Sequence, residues 1–195
     1  MGESGIAYRL LGGDAAGERE GDLLALAGEV YGNAGDQEPV RQARVRRARV
    51  WRRQPGFALA EARHGGYLVG YASGMPLRPS TSWWRGLTTQ VPPEVTAEHP
   101  GRTFALTELA VRASWRRQGI GRELHELLLG GRPEERATLT VAPEAGAAQA
   151  AFRSWGWRKV ARTRGDAKDY GDGVAVPVLD VLVIDLPLPP RGGGW

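Results

Sequence analysis

Apolar and polar positions change period several times along the chain, and each change marks an element. Ile6–Leu11 is short and apolar enough for a first strand. A Gly/Asp/Glu-rich stretch follows. Leu23, Leu24, Leu26, Ala27, Val30 and Tyr31 then recur at helical spacing, and Gly32-Asn33 fits the stop. Gln37 to Arg53 reads as a second helix. Val40, Ala43, Ala48 and Trp51 make a thin apolar stripe, and arginines at 41, 44, 46, 47, 49, 52 and 53 cover the rest. Pro55-Gly56 breaks the pattern. Phe57–Ala62 and Tyr67–Met75 are two strand-length runs around Arg63-His64-Gly65-Gly66, a hairpin signal.

Pro76 to Arg102 has no sustained period and carries prolines at 76, 79, 92, 93 and 100. A loop of that length inside a compact domain tends to be functional or disordered. Trp83-Trp84 argues against full disorder, because two indoles need burial or a ligand. They fit either a wall of a substrate pocket or a cap on the core. Thr103–Val111 predicts a strand, and residues 116–130 a helix with Ile120, Leu124, Leu127 and Leu128 on its apolar stripe. Ala137–Val141 predicts a fifth strand. Pro143 and Glu144 open an Ala-rich helix over Ala145–Trp155, and Trp157–Thr163 and Val178–Leu186 are late strands. Arg164–Val176 reads as a Gly/Asp-rich loop, and Pro187 to Trp195 as a frayed tail. The histidines are assigned no chemistry. His64 falls in the hairpin turn as a solvated residue, His99 is exposed before Pro100, and His125 lies off the apolar stripe, flanking or facing solvent.

This order predicts an α/β (α+β mixed) class, with hairpins early and a strand–helix–strand–helix unit in the middle. The 195 residues suit a single domain, 1–195, with a core of about 6–186 and a tail at 187–195. There are no cysteines, so neither disulfides nor thiolate chemistry are available. No segment has the unbroken apolar length of a membrane span, and Met1-Gly-Glu-Ser-Gly lacks the basic start and apolar run of a signal peptide. A cytoplasmic protein, without a membrane partner, is expected. Lys and Arg number 26 against 22 Asp and Glu, giving a net charge of +4. That excess suits an anionic ligand but falls short of nucleic-acid binding. The arginines of the second helix, without interleaved aromatics, read first as a solvated face, so no nucleic-acid partner is expected. The three histidines and the acids show no metal-ligand spacing, so no metal is expected.

The sharp signal is Arg116-Arg117-Gln118-Gly119-Ile120-Gly121-Arg122, between a strand and a helix. The first turn of a helix leaves amides without intrahelical partners, and its dipole is positive there. Glycines let an anion reach those amides, and arginines fork onto phosphate oxygens. The residues alone leave two readings open: a diphosphate site, or a helix start with two turn glycines on a basic rim.

Arg116-x-x-Gly119-x-Gly121, after a strand ending in Glu108-Leu-Ala-Val111, resembles the acyl-CoA signature of the GNAT acetyltransferase superfamily. The strand at Ala137–Val141, the helix after it and Trp155-Gly156-Trp157 extend the likeness, which spans roughly Ile6 to Leu186. The resemblance implies a central mixed, twisted sheet of six to seven strands flanked by about four helices. It implies acetyl-CoA as co-substrate, held by the backbone of Leu109, Ala110 and Val111 and by Arg116, Arg117, Gln118, Gly119, Ile120, Gly121 and Arg122. It also implies that the fourth and fifth strands splay apart and that a backbone N–H there polarises the thioester carbonyl.

The implied reaction is direct attack by a primary amine on the thioester. An ordinary amine with a pKa of about 10.4 costs roughly 4–5 kcal/mol to deprotonate at pH 7. Glu108 is the candidate base, and in a regular strand it shares a face with Phe104 and Leu106. Two positions depart from the superfamily. Phe152 stands among the cofactor-contacting residues where many relatives carry an acidic Tyr, and Ala145 stands where many carry Asn. A thiol with a pKa of about 8.5 leaves as thiolate at a cost of only about 2 kcal/mol, so water suffices; Tyr170 in the late loop is a second donor to consider. The expected acceptor is a small-molecule amine such as an antibiotic, amino sugar or polyamine, with Trp83 and Trp84 in its pocket, in a monomer or homodimer. A protein or peptide N-acetyltransferase and a catalytically weakened acyl-CoA-binding protein are the alternatives.

Overall fold

A computed structural model describes residues 5–32, 38–164 and 176–188. The expected stop at Asn33, the loop over 165–175 with Tyr170, the tail from 189 and the side chain of Val40 lie outside the described residues. The chain runs β1 (Ile6–Leu11), α1 (Gly13–Gly17), α2 (Glu20–Tyr31), α3 (Glu38–Trp51), β2 (Ala58–His64), β3 (Tyr67–Pro76), α4 (Pro93–Thr96) and β4 (Thr103–Val111). A 3-10 turn at Ala113–Trp115 leads to α5 (Ile120–Leu129), β5 (Arg136–Val141), α6 (Gly146–Ser154), β6 (Arg158–Arg164) and β7 (Val178–Asp185).

The seven strands form one mixed sheet in the order β1-β2-β3-β4-β5-β7-β6. Every neighbouring pair is antiparallel except β4 and β5. The mixed α/β fold with six to seven strands is therefore as expected. Four of the six described helices, α2, α3, α5 and α6, have nine residues or more. The hairpin turn falls at Gly65-Gly66, where φ values of 55° and 84° put both residues in the left-handed region.

Two apolar layers hold the sheet. Ala60, Val69, Phe104, Leu106, Leu139 and Leu182 pack under α5 and α6, which contribute Ile120, Leu124, Leu128 and Phe152. On the other face Leu59, Leu68, Tyr71 and Ala110 pack under α1 and α2, through Ala16 and Leu26. The α3 helix is attached differently. Its described side chains include one buried residue, Ala43, and its arginines clasp α2 instead. Arg44 donates to the Ala27 carbonyl at 3.3 Å and lies over the Tyr31 ring, while Arg49 and Arg52 flank Glu20. The arginine face expected to be solvated is thus partly a docking face onto its neighbour.

One irregularity moves a candidate residue. Ser73 pairs with Glu108 but the next residue, Gly74, pairs with Leu106, so Thr107 is an extra residue in β4. A bulge of this kind flips the strand's alternation. Phe104 and Leu106 face α5, whereas Glu108 meets Tyr71 on the opposite face. The expectation that Glu108 shares a face with Phe104 and Leu106 holds only for a regular strand and is overturned here. Gly74 permits the tight crossing beside the bulge, because a Cβ there would lie 2.3 Å from the Ala105 carbonyl oxygen.

Two histidines also differ from expectation. His125 is buried, and its Nε2 accepts a 2.9 Å hydrogen bond from the Trp157 indole while Trp155 packs on the ring. Burial lowers its pKa to about 4. The apolar stripe of α5 is wider than four positions, and the aromatic step after α6 closes over it. His64 is half-buried rather than solvated, with its ring 4.9 Å from that of Trp115.

Candidate active site

The central feature is a gap in the sheet. β4 and β5 pair only at Thr103–Arg136, Phe104–Ala137 and Ala105–Thr138. Beyond Ala105 the remaining residues of β4 have no β5 partner, although both strands continue. Parallel strands of this length ordinarily stay paired, so the divergence exposes a backbone edge that a ligand can use as an added strand.

Leu109 and Val111 present that edge. Their carbonyls lie off the β3 ladder and accept side-chain donors, Tyr31 Oη at 3.0 Å and Arg116 Nε at 3.0 Å. Each carbonyl has a second lone pair for another donor. The Ala110 carbonyl instead lies against Gly70 of β3, so of the three predicted edge residues Ala110 points its backbone away from the gap.

The edge leads directly to the start of α5. Gly119 caps the helix with φ 81°, and the space where its Cβ would stand is open for 4 Å. Among the described residues, the amides of Gln118, Gly119, Ile120 and Gly121 donate to no other group. Arg116, Arg117, Gln118 and Gly119 are exposed, while the Ile120 side chain is buried and fixes the first turn to the core. Arg122 pairs with Glu126 one turn on, at 2.9 Å, and Gln118 donates to the Ser114 carbonyl at 3.3 Å. Arg117 adopts φ 64°, a left-handed conformation unusual for a side chain of its size. Open amides, a glycine in the left-handed region and a basic rim fit a diphosphate.

On the α1–α3 face, the Tyr71 hydroxyl donates to Glu108 Oε2 at 2.6 Å. Burial, and then the charge of Glu108, push the Tyr71 pKa well above the ordinary phenol value. Tyr71 therefore stays a donor and orients the carboxylate. Tyr31 is raised for the same two reasons, burial foremost. A crevice of about 60 Å³ touches Glu108, Tyr71, Ser73 and Trp51. Trp51 also lines a second space, a cleft of about 650 Å³ bounded by α3, the 75–86 segment and the splayed strands, with Thr107 of β4 and Thr140 of β5 on its floor.

Trp83 and Trp84 part company. Trp83 lines the cleft and donates to Thr138 Oγ1 at 3.3 Å. Trp84 turns away to Glu98 Oε1 at 2.9 Å and lies against Arg136. Phe152 is buried edge-on to Trp155 and Trp157, with ring centroids 5.5 and 5.8 Å away. Sequence reading missed Tyr31, Tyr71 and Thr107. Only the strand register brings Tyr71 to Glu108, and no local spacing announces it. Among the described residues no three His, Asp or Glu side chains are placed to share a metal ion, and no helix is long and apolar enough to cross a membrane.

Comparison with known proteins bears on the fold and the family. The chain resembles the ribosomal-protein-S18-alanine N-acetyltransferase of Escherichia coli, at 12% identity and a TM-score of 0.62, over 98% of this chain and 100% of that one. It resembles a structure from Salmonella typhimurium solved with its cofactor acetyl-CoA, at 14% identity and a TM-score of 0.58, over 98% and 100%. It also resembles the PaiA N-acetyltransferase of Thermoplasma acidophilum in complex with coenzyme A, at 12% identity and 0.57, over 93% and 99%. At such identities these likenesses establish the fold. A search of proteins of curated function finds no match. The model of the acetyltransferase (GNAT) family matches residues 22–157, a span from α2 through the gap to the aromatic step, and the chain belongs to that family.

Proposed function

We propose that the protein transfers an acetyl group from acetyl-CoA to the primary amine of a small molecule by direct attack. The observation that carries this reading is the loss of β4–β5 pairing after Ala105, which leaves the Leu109 and Val111 edge running into the open amides of α5. Acetyl-CoA would supply an activated thioester. Its diphosphate would be held by the amides of Gln118, Gly119, Ile120 and Gly121, with Arg116, Arg117 and Arg122 around them, and its pantetheine arm by Leu109 and Val111.

Glu108 takes the proton of the attacking amine, directly or through a water in the adjoining crevice. Tyr71 holds the carboxylate in place and, with its raised pKa, does not compete for that proton. Thr107, the extra residue of the bulge, lines the cleft from which the amine arrives. Phe152 has no hydroxyl and brings none to the leaving sulfur, which departs as thiolate at about 2 kcal/mol near pH 7. The Tyr31 hydroxyl donates to the Leu109 carbonyl on that edge. The cleft's volume of about 650 Å³ suits a small molecule.

Calorimetry with CoA and a thiol-release assay with acetyl-CoA across amine classes test the reading. Saturable CoA binding and amine-dependent thiol release are expected. Absence of CoA binding removes the assignment.

A further inference from the structure

The cleft of about 650 Å³ is lined by charge of one sign. The whole sequence is nearly balanced, 26 basic against 22 acidic residues. The cleft lining contains Arg46, Arg47, Arg85 and Arg164, and no Asp or Glu among the described residues. These arginines come from three separate segments, α3, the loop after β3 and the end of β6. Trp51, Trp83, Met75 and Leu77 give the same cleft an apolar wall, and Thr107 and Thr140 place its floor across the gap between β4 and β5.

We propose that the acceptor is a small primary amine bearing an anionic group, carboxylate or phosphate, on an apolar body. This rests on the acetyl-transfer reading above. Two physical effects support it. A cleft lined by one sign of charge raises the local concentration of ligands of the opposite sign, and arginine forks onto both carboxylate and phosphate oxygens. The same arginines disfavour an ammonium ion beside them, which shifts the bound amine toward its neutral, nucleophilic form. A polyamine or a polycationic amino sugar gains nothing from the first effect and is repelled by the second. The indoles and the Met75–Leu77 wall favour an apolar skeleton over a bare ion.

The test uses the full chain, acetyl-CoA and matched amines differing in one group. Phenylalanine, phenylalaninamide and phenethylamine form one set; O-phosphoethanolamine and ethanolamine form another; spermidine is the cationic control. Thiol release is expected to give the anionic member of a set at least a tenfold higher kcat/KM than its neutral twin. The set with the larger ratio identifies carboxylate or phosphate. The double substitution Arg85→Glu/Arg164→Glu should erase or invert the ratio. Should that variant fold poorly, Arg85→Ala and a rise to 0.5 M salt should each shrink it in the native background. Equal or better use of the neutral or cationic member, or an unchanged ratio on charge reversal, overturns the proposal. CoA binding without acetylation of any member overturns it and leaves the donor site intact. Absence of CoA binding overturns both.

Discussion

The proposed donor side and the proposed acceptor side of this molecule are built from different material. The donor side is backbone: a strand edge at Leu109 and Val111 and the free amides that open α5, all within residues 109–122. The acceptor side is side chains gathered from α3, the 75–86 segment, β4, β5 and the end of β6. Backbone recognition needs one local conformation, and a short motif can encode it. A side-chain cleft needs several distant segments to arrive together, so its chemistry can vary while the donor site stays fixed. The bulge at Thr107 falls just before the donor edge: it gives its own side chain to the acceptor cleft and turns Glu108 toward the adjoining crevice.

The strongest test of that division removes the group proposed to act between them. Glu108→Gln keeps a hydrogen-bond partner for Tyr71 but no longer accepts a proton. Turnover is expected to fall about 10²–10⁴-fold, the usual worth of a positioned general base. CoA affinity, a property of the backbone site, should stay within a factor of about two, since no Glu108 atom belongs to it. Steady-state kinetics beside calorimetry checks both numbers, and a matching loss of CoA affinity breaks the comparison.

Acid should strike the donor side through what lies beneath it. His125 anchors α5 by accepting from Trp157, and its folded pKa of about 4 lies below the ordinary 6.5. Above pH 6.5 the ring is neutral in both folded and unfolded chains and has no effect. Between 6.5 and 4 only the unfolded chain binds the proton, so stability falls as pH falls. The loss levels off below pH 4 at a total on the order of 3 kcal/mol. Denaturant titrations at pH 7 and pH 4.5 should differ, and the His125→Gln variant should lose most of that difference.

The same contrast explains what the chain disclosed in advance. Thr103–Val111 was legible to the residue, because a buried strand between a loop and a basic turn leaves a clear run. The Gly119 turn was legible because a left-handed cap followed by open amides has a sequence signature. Glu108's neighbours were not, since a bulge depends on pairing with β3 and a one-residue shift exchanges every face. His125 read as off the stripe because the residue that covers it, Trp157, arrives from 32 positions away. Trp83 and Trp84 are adjacent in sequence yet separate onto Thr138 and Glu98, a choice made by β5 and the loop before β4.

A smaller effect isolates the helix cap. Gly119→Val forces a β-branched side chain into φ 81°, at a cost of about 1–2 kcal/mol. The open space there means the cost comes from backbone strain rather than collision. CoA affinity is expected to drop about tenfold, with the acceptor's charge preference unchanged. A shifted charge preference means the two sites are not separable.

The smallest effect comes from the way the acceptor wall is hung. α3 carries Arg46, Arg47, Val50 and Trp51 into the cleft, and one of its ties to α2 is Glu20, which accepts from Arg49 Nε at 2.8 Å and lies 3.9 Å from Arg52. The hydrogen bond from Arg49 holds the Glu20 carboxyl below the usual carboxylate range. Its stabilisation is therefore present above the unfolded carboxylate value and is lost as pH falls through the lowered one. Glu20→Gln should cost under about 1 kcal/mol, as partly exposed ion pairs do, and shift Tm by a few degrees at most. The expected consequence is local: a loosened α3 raises the acceptor KM severalfold while the CoA isotherm stays where it was. Backbone sites tolerate such loosening because their geometry is set by the sheet, whereas a cleft that takes Arg46, Arg47 and Trp51 from this helix does not. Equal changes in both constants would mean that α3 supports the strands themselves.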